Sequence, residues 1–372
     1  METEFSKEEL ERYSRHFVLP GMGMAGQVLL RGATVAVVGA GGLGVPVLTY
    51  LAAAGVGHLV VIDHDRIDVS NLQRQVLYTT AQAGMYKALA AAERLTALNP
   101  HIRITAVTDT VGVENAMPLL QGADVVVDAT DNFPTRYLLN DACVLMGKPL
   151  VYGSLYRYEG QVSVFNYQGG PNYRDLYPVP PDPASVPNCA TAGVMGALAG
   201  IIGSMQANEV IKILSGQQGV LSGKLWVMDA QAMEATRIGI PDRNSKAAIT
   251  TLINYDHFCG LSPTIQAMKE VTVQELKQLL DSKANIQLID VREPHEADIC
   301  EIGGELIPMA QVPDNVARIS KDKQVVIHCR SGRRSGDIIN WLEKNHGFTN
   351  LYNLKGGILA WADQIDPTMD KY

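Results

Sequence analysis

The residue whose surroundings most clearly announce chemistry is Cys329. The β-branched run Val325-Val326-Ile327-His328 leads into it. Arg330-Ser331-Gly332-Arg333-Arg334-Ser335 comes next, and a helical pattern resumes over Asp337–Asn345. A loop curled at the start of a helix turns several backbone N–H groups inward and binds an anion. Three arginines add positive potential. Both effects stabilise a thiolate, or the terminal sulfur of a persulfide. A buried, inert cysteine has no use for that charge.

A second constellation lies near the start of the chain. Gly39-Ala40-Gly41-Gly42-Leu43-Gly44 succeeds the apolar run Thr34–Val38 and opens a helix. Glycines let the backbone turn tightly against a phosphate, and the helix start supplies unpaired N–H groups. Asp63 stands nineteen residues beyond Gly44, at the end of the next strand, where an acid can bond ribose hydroxyls. Alone, this pattern suits a nicotinamide-dependent oxidoreductase equally well. The residues beyond Asp63 favour a triphosphate: Asp65, then Ser70-Asn71-Leu72-Gln73-Arg74-Gln75, then Lys87. Cations there neutralise charge while pyrophosphate leaves, and hydride transfer needs none. Val125–Ala129 ends in Asp128-Ala129-Thr130-Asp131-Asn132, and an acid at a strand's C-terminal end faces the ligand crevice and can hold magnesium.

The other cysteines carry less. Cys189 comes after a proline-rich stretch and precedes a helical run, a place where a thiol's pKa can fall. A small buried apolar residue is the competing reading. Cys143 sits in an apolar helical run and reads as packing, and Cys300 has no informative context. Five scattered cysteines do not make a disulfide framework.

These groups must be held by alternating strands and helices. A capped helix is expected over Ser6–Phe17, with Glu9 completing the cap of Ser6. Strands are expected at Thr34–Val38, Leu59–Ile62, Ile102–Val107, Val125–Ala129, Leu150–Gly153, Gln161–Tyr167 and Lys224–Met228, with a helix over Thr191–Leu214. Six prolines between Gln168 and Asn188 predict a long loop without a helix. Alternation restarts with a helix at Val273–Leu280 and strands at Gln287–Asp290 and Gln324–His328. The pattern predicts an α/β protein of two domains. Residues 1–245 form a Rossmann-like nucleotide-binding domain with a mostly parallel sheet. Residues 246–270 are a linker, and residues 271–372 form a smaller α/β domain.

Composition bounds the function. Of 372 residues 47% are apolar and 19% charged, which suits large cores. A net charge of -8 argues against a nucleic-acid partner. The charged start of the chain does not read as a secretory signal, and glycines interrupt the uncharged stretch Gly32–Ile62, so a cytoplasmic protein without a membrane partner is expected.

Residues from Arg12 to about Gly239 resemble the MoeB/ThiF family, relatives of the ubiquitin-activating enzymes. The matching residues are Arg12-Tyr13-Ser14-Arg15, the glycine turn with Gly39, Gly41, Gly42 and Gly44, the Ser70–Gln75 run, and Asp128–Asn132. The resemblance implies that Gly42, Asp63, Asn71, Arg74, Lys87 and Asp131 bind ATP, with magnesium at Asp131. It implies a homodimer in which Arg15 reaches the partner subunit's site. The implied reaction adenylates the C-terminal glycine of a ubiquitin-like sulfur carrier ending in Gly-Gly. It also implies that Cys189 bonds the carrier or resolves a sulfur intermediate. A structural zinc held by two Cys-x-x-Cys pairs would belong to the resemblance. The corresponding positions read Asn172-Tyr173-Arg174-Asp175 and Asp256-His257-Phe258-Cys259, so three of four thiolates are missing and zinc is not expected. Asp175, Asp256, His257 and Cys259 are left as an alternative cluster.

Val271–Trp361 resembles the rhodanese family through Leu288–Glu293, the Cys329 loop and Leu354-Lys355-Gly356-Gly357-Ile358. Related phosphatases place Arg six positions after the cysteine. Position 335 is Ser, and Arg334 comes one residue early. The expected activity is therefore sulfur transfer through Cys329, from a cysteine desulfurase or thiosulfate. It serves molybdopterin synthesis first, with thiamin, cysteine or tRNA thiolation as alternatives. The rival classes are an oxidoreductase with a sulfur-transfer appendage and a non-catalytic adaptor for a ubiquitin-like protein.

Overall fold

The computed structural model describes residues 5–181, 193–260 and 268–372. They form two compact units that divide near Ser262.

The first unit is built on an eight-stranded sheet. Its strands are β1 (Thr34–Val38), β2 (His58–Ile62), β3 (Arg103–Val107), β4 (Val125–Asp128), β5 (Leu150–Tyr156), β6 (Glu159–Phe165), β7 (Lys224–Asp229) and β8 (Glu234–Gly239). They lie in the order β3-β2-β1-β4-β5-β6-β7-β8. β3 through β5 run parallel, and β6, β7 and β8 add antiparallel. The centre is apolar on both faces. Val125, Val126 and Val127 have no exposed surface, which is why β4 reads as a continuous apolar run rather than an alternating one. Strand order reverses beside β1, whose neighbours are β2 and β4. In such sheets ligands bind at the carboxyl ends of the strands at that reversal. The glycine turn leaves β1 there and Asp128 ends β4 there.

Three expectations change. The first helix breaks into Lys7–Arg12 and Ser14–Phe17, because Tyr13 turns inward to accept a hydrogen bond from Asn99 Nδ2 at 2.9 Å. The predicted cap of Ser6 and Glu9 is present. The proline-rich stretch does hold a helical turn, Tyr173–Leu176, capped by Asn172 and Asp175. No proline falls between Pro171 and Pro178, so nothing in that interval forbids it. The stretch read as a linker, 246–270, is structured over 246–260, and its last residue, Glu270, opens a strand of the second unit. A turn of helix at Tyr255–Phe258 lies on the helix Phe133–Met146, with Tyr255 and Cys259 buried.

The second unit has five parallel strands, β9 (Glu270–Val271), β10 (Ile286–Asp290), β11 (Glu305–Leu306), β12 (Gln324–His328) and β13 (Leu351–Leu354), in the order β11-β10-β12-β13-β9. The helix after Cys329 is Arg333–His346, four residues earlier than expected. Gly332, at φ +91°, reverses the chain sharply enough to start it there. Among the described residues no helix is long and apolar enough to cross a membrane.

Candidate functional sites

In the first unit the glycine turn packs against the end of β4. A side chain at Gly39, whose φ is +97°, would place Cβ 2.6 Å from the Ala129 carbonyl oxygen, so only glycine fits. Asp63, at the end of β2, braces the turn. Its Oδ2 accepts from Ala40 N at 2.7 Å, and its Oδ1 accepts from Asp65 N at 2.8 Å. Burial raises its pKa, opposed by the Lys87 ammonium and these two N–H groups. Lys87, 5% exposed, donates to Asp65 Oδ2 at 2.8 Å. The Arg74 stem lies over Gly42, 3.4 Å from where a Cβ would stand, and its Nη1 reaches the Ser70 carbonyl at 3.3 Å. Asp63, Arg74, Lys87 and the glycines therefore gather at one place.

The rest of the Ser70–Gln75 run is mixed. Ser70 turns back to Asp68, whose Oδ1 accepts its N–H at 2.8 Å. The Asn71 carbonyl accepts from Arg74 N and Gln75 N and closes the turn. Leu72 packs on the core, and Gln73 is exposed. Gln75 was not among the expected ligands. It is 3% exposed, lies beside Gly41, and its Oε1 has no hydrogen-bond partner among the described residues. A buried amide oxygen left unpaired beside the glycine turn fits a nucleotide that donates to it.

The β4 end separates two acids. Asp128 is fully buried. Its Oδ1 accepts from Thr130 N and Oγ1 at 2.9 and 2.6 Å, and its Oδ2 from Arg136 Nε at 3.1 Å. Arg136 Nη2 also reaches the carbonyls of Thr130 and Gly153. This buried bracket shapes the turn and leaves Asp131 exposed, with no partner among the described residues. Magnesium commonly takes one or two carboxylates plus substrate phosphates, so Asp131 fits it. Asn132, expected beside Asp131 as a nucleotide ligand, caps the helix Phe133–Met146 through Oδ1, which accepts from Thr135 N at 2.9 Å. Arg15 is exposed, on the short helix Ser14–Phe17. Cys189 lies outside the described residues.

The positions that would hold zinc form a polar clasp instead. Asn172 Nδ2 donates to Asp175 Oδ2 and Ser245 Oγ, at 2.8 and 2.7 Å. Asp175 Oδ1 accepts from Arg243 N and Ser245 N. Arg174 grips Asp141 with Nε and Nη2 at 2.8 and 2.7 Å, and Tyr255 Oη donates to the same carboxylate at 2.8 Å. Cys259 is buried beneath, its thiol pushed up to about 11 chiefly by burial. A carboxylate already hydrogen-bonded on both oxygens and a neutral thiol are poor zinc ligands.

In the second unit β12 delivers Cys329 into the expected loop. The thiol is 1% exposed. Gly332 N points at Sγ from 3.2 Å. Ser335 Oγ lies 3.4 Å from Sγ and 2.7 Å from Asn353 Oδ1, and Asn353 Nδ2 donates to the Gly332 carbonyl at 3.0 Å. Ile358 N and Leu359 N donate to the carbonyls of Cys329 and Arg330. This explains the glycine pair: Gly357 has φ +61°, and a Cβ there would lie 2.5 Å from the Cys329 carbonyl oxygen. Arg334 does not line the loop as a phosphatase arginine would. Its two Nη atoms grip Glu296, each at 2.6 Å. Cys300, without context in the sequence, packs beside Arg292, whose Nη2 donates to its carbonyl at 2.8 Å. Cys143 is fully buried in the first unit's core and its pKa is pushed well up by burial.

Fold and site together define a two-unit α/β transferase, with a nucleotide cradle in one unit and a donor-lined thiol in the other. Residues 13–249 match the ThiF family, and residues 272–364 match the rhodanese-like domain. The chain is 44% identical to the probable adenylyltransferase/sulfurtransferase MoeZ of Mycobacterium tuberculosis, covering 99% of this chain and 96% of that protein. It is 39% identical to the adenylyltransferase and sulfurtransferase MOCS3 of Drosophila sechellia, covering 100% and 86%. Among solved structures it resembles PaaA, with a TM-score of 0.55 at 22% identity over 64% of this chain and 77% of that one. It also resembles E. coli MccB with ATP, with a TM-score of 0.54 at 20% identity over 64% and 72%. The structural likenesses speak for the fold alone. The chain belongs to the ThiF family and carries a rhodanese-like domain after it, and it is an adenylyltransferase and sulfurtransferase.

Proposed function

We propose that the first unit adenylates the C-terminal glycine of a ubiquitin-like sulfur carrier with ATP, and that Cys329 then supplies the sulfur. The observation that carries the reading is the pairing, on one chain, of a cation-lined glycine cradle with a thiol set among N–H and O–H donors. The carrier carboxylate attacks the α-phosphorus and pyrophosphate leaves, giving an acyl-adenylate. Arg74 and Lys87 offset charge on the phosphates, Asp63 holds the turn and the ribose, and Asp131 would hold magnesium. Magnesium, when bound, neutralises charge on the triphosphate. Arg15 serves the partner subunit of a homodimer.

Cys329 takes sulfane sulfur from a cysteine desulfurase or thiosulfate. Its persulfide attacks the acyl carbon, AMP leaves, and an acyl disulfide joins carrier and enzyme. A second thiolate, Cys189 or an external reductant, attacks the Cys329 sulfur and releases the carrier thiocarboxylate. The disulfide left behind is reduced by an external dithiol, which is itself oxidised to a disulfide, for the next round. Tethering both units raises the local concentration of persulfide near the adenylate. Similarity to MoeZ and MOCS3 favours molybdopterin synthesis as the consumer, and a cytoplasmic setting is part of this reading.

The test is ATP–pyrophosphate exchange with and without a carrier ending in Gly-Gly. Exchange that requires the carrier supports the reading. No exchange with any such carrier, together with a rise in melting temperature on adding NAD, would replace it with the dinucleotide reading.

A further inference from the structure

The Cys329 loop is braced from one more side, by a residue far along the chain. Tyr372 lies over two arginines of the second unit, with the guanidinium carbons of Arg330 and Arg292 5.4 and 5.9 Å from its ring centroid. Its hydroxyl accepts from Arg292 Nη1 at 3.0 Å and donates to Glu296 Oε1 at 3.0 Å. Glu296 in turn holds Arg334. The main-chain carbonyl of Tyr372 accepts from Arg330 Nε at 2.6 Å.

The three loop arginines thus have different fates. The fork of Arg334 is taken by Glu296, and Arg333 is exposed. Arg330 directly succeeds the reactive cysteine, and Leu359 N holds its carbonyl. Its side chain is anchored through Nε, while both Nη atoms lack a hydrogen-bond partner among the described residues. An arginine tied at Nε presents its remaining donors as a fixed fork suited to an oxyanion.

We propose that Tyr372 is a positioning residue for sulfur transfer: docked on Arg292 and Glu296, it holds Arg330 by Nε and so aims the Nη fork at the anionic group of a sulfur donor entering at Cys329. The side chain of Tyr372 does the docking and its carbonyl does the holding. The substrate class is a small sulfur oxyanion, with thiosulfate as the probe. The Cys329 thiolate attacks the outer sulfur of thiosulfate, the S–S bond breaks, and sulfite leaves with the electron pair. Cyanide then attacks the outer persulfide sulfur, giving thiocyanate and restoring the thiolate.

The experiment is steady-state thiosulfate–cyanide turnover by the full chain, with ATP–pyrophosphate exchange and melting temperature as controls for the fold. Tyr372→Ala should raise KM for thiosulfate about tenfold with kcat changed far less, the pattern of lost binding. Arg330→Ala should do the same. The double variant should be no worse than the weaker single, because both changes remove one interaction. Tyr372→Phe keeps the ring but loses the latch, and should raise KM less in the same direction. It decides alone if the alanine variant does not fold. The proposal is overturned if KM is unchanged in both Tyr372 variants, if only kcat falls, or if the two alanine effects multiply. It rests on Cys329 as the sulfur-carrying thiol, and turnover that survived Cys329→Ser would refute that reading separately.

Discussion

At the scale of single residues, the two half-reactions should separate cleanly. Asp131 has no partner to lose among the described residues, so Asp131→Ala should leave the fold intact and lower ATP–pyrophosphate exchange at least a hundredfold, in line with the loss of one electrostatic stabiliser. Thiosulfate–cyanide turnover should be unaffected. Cys329→Ser should reverse the pattern. If either variant lost both activities while still folded, the division of labour would be wrong. Residue types in order were enough to single out Asp63, Arg74, Lys87, Asp131 and Cys329 as candidates, and the structure gathers Asp63, Arg74 and Lys87 at the glycine turn. Which of two neighbouring acids is free was not legible, because Thr130 and Arg136 consume Asp128 through contacts that only the turn creates. Gln75 was hidden for a related reason: its signal is an unpaired buried oxygen, a property of the folded state. His328 is a further case. It is fully buried, and neither ring nitrogen makes a hydrogen bond of ordinary geometry among the described residues, the nearest backbone groups being those of Cys329 and Gly303. Burial lowers its pKa to about 4, although the Asp290 carboxylate, 3.8 Å from Nδ1, pulls the other way. Its unfolded form binds a proton below about 6.5, and the folded form does not until about 4. Stability should therefore fall as pH drops through that window. In His328→Phe this part of the slope should vanish, as read from urea midpoints of the second unit between pH 7 and 4.5. An unchanged slope would assign the acid sensitivity elsewhere.

At the scale of elements, short strands and turns were the least legible. The central strands announce themselves by apolar runs, but β9 and β11 have two residues each, too few to show a period. The helix Gly357–Gln364 was seen only as a glycine motif, and its work became clear from Ile358 N and Leu359 N holding the Cys329 loop. Gly357→Ala should cost about 1 kcal/mol for the left-handed backbone alone. It should also push the helix off the loop, lowering sulfur transfer at least tenfold while pyrophosphate exchange persists. Turnover within twofold of wild type would show that the clamp is dispensable. The clasp on the helix Phe133–Met146 permits a comparable argument. Asp141 is buried, and removing Arg174 would leave its charge facing two neutral donors, Tyr255 Oη and Asn140 Nδ2, and no cation among the described residues. Arg174→Met should cost about 3–5 kcal/mol. If this clasp rather than a metal secures residues 241–260, prolonged EDTA treatment should leave the melting temperature unchanged. A fall on chelation would restore a structural metal.

At the scale of the whole chain, two sequence patterns separated by an aperiodic stretch were enough to show two units. The path of the intervening residues was not legible, since residues 246–260 pack on the first unit through isolated anchors such as Tyr255 and Cys259 rather than through a repeating pattern. Covalent connection has a consequence that can be measured. A thiol tethered near an adenylate acts at an effective concentration on the order of millimolar, whatever the bulk concentration. Asp131→Ala and Cys329→Ser chains, mixed in equal amounts with carrier, ATP and thiosulfate, each keep one half-reaction. At micromolar protein the mixture should form thiocarboxylate much more slowly than the same amount of wild type. The deficit should shrink as protein concentration rises, because the persulfide must now meet its adenylate by diffusion. Rates that match wild type and do not depend on dilution would mean that transfer runs between subunits of a stable mixed dimer. The tether within one chain would then contribute nothing to the rate, and the fusion would have to be explained by the stoichiometry it imposes.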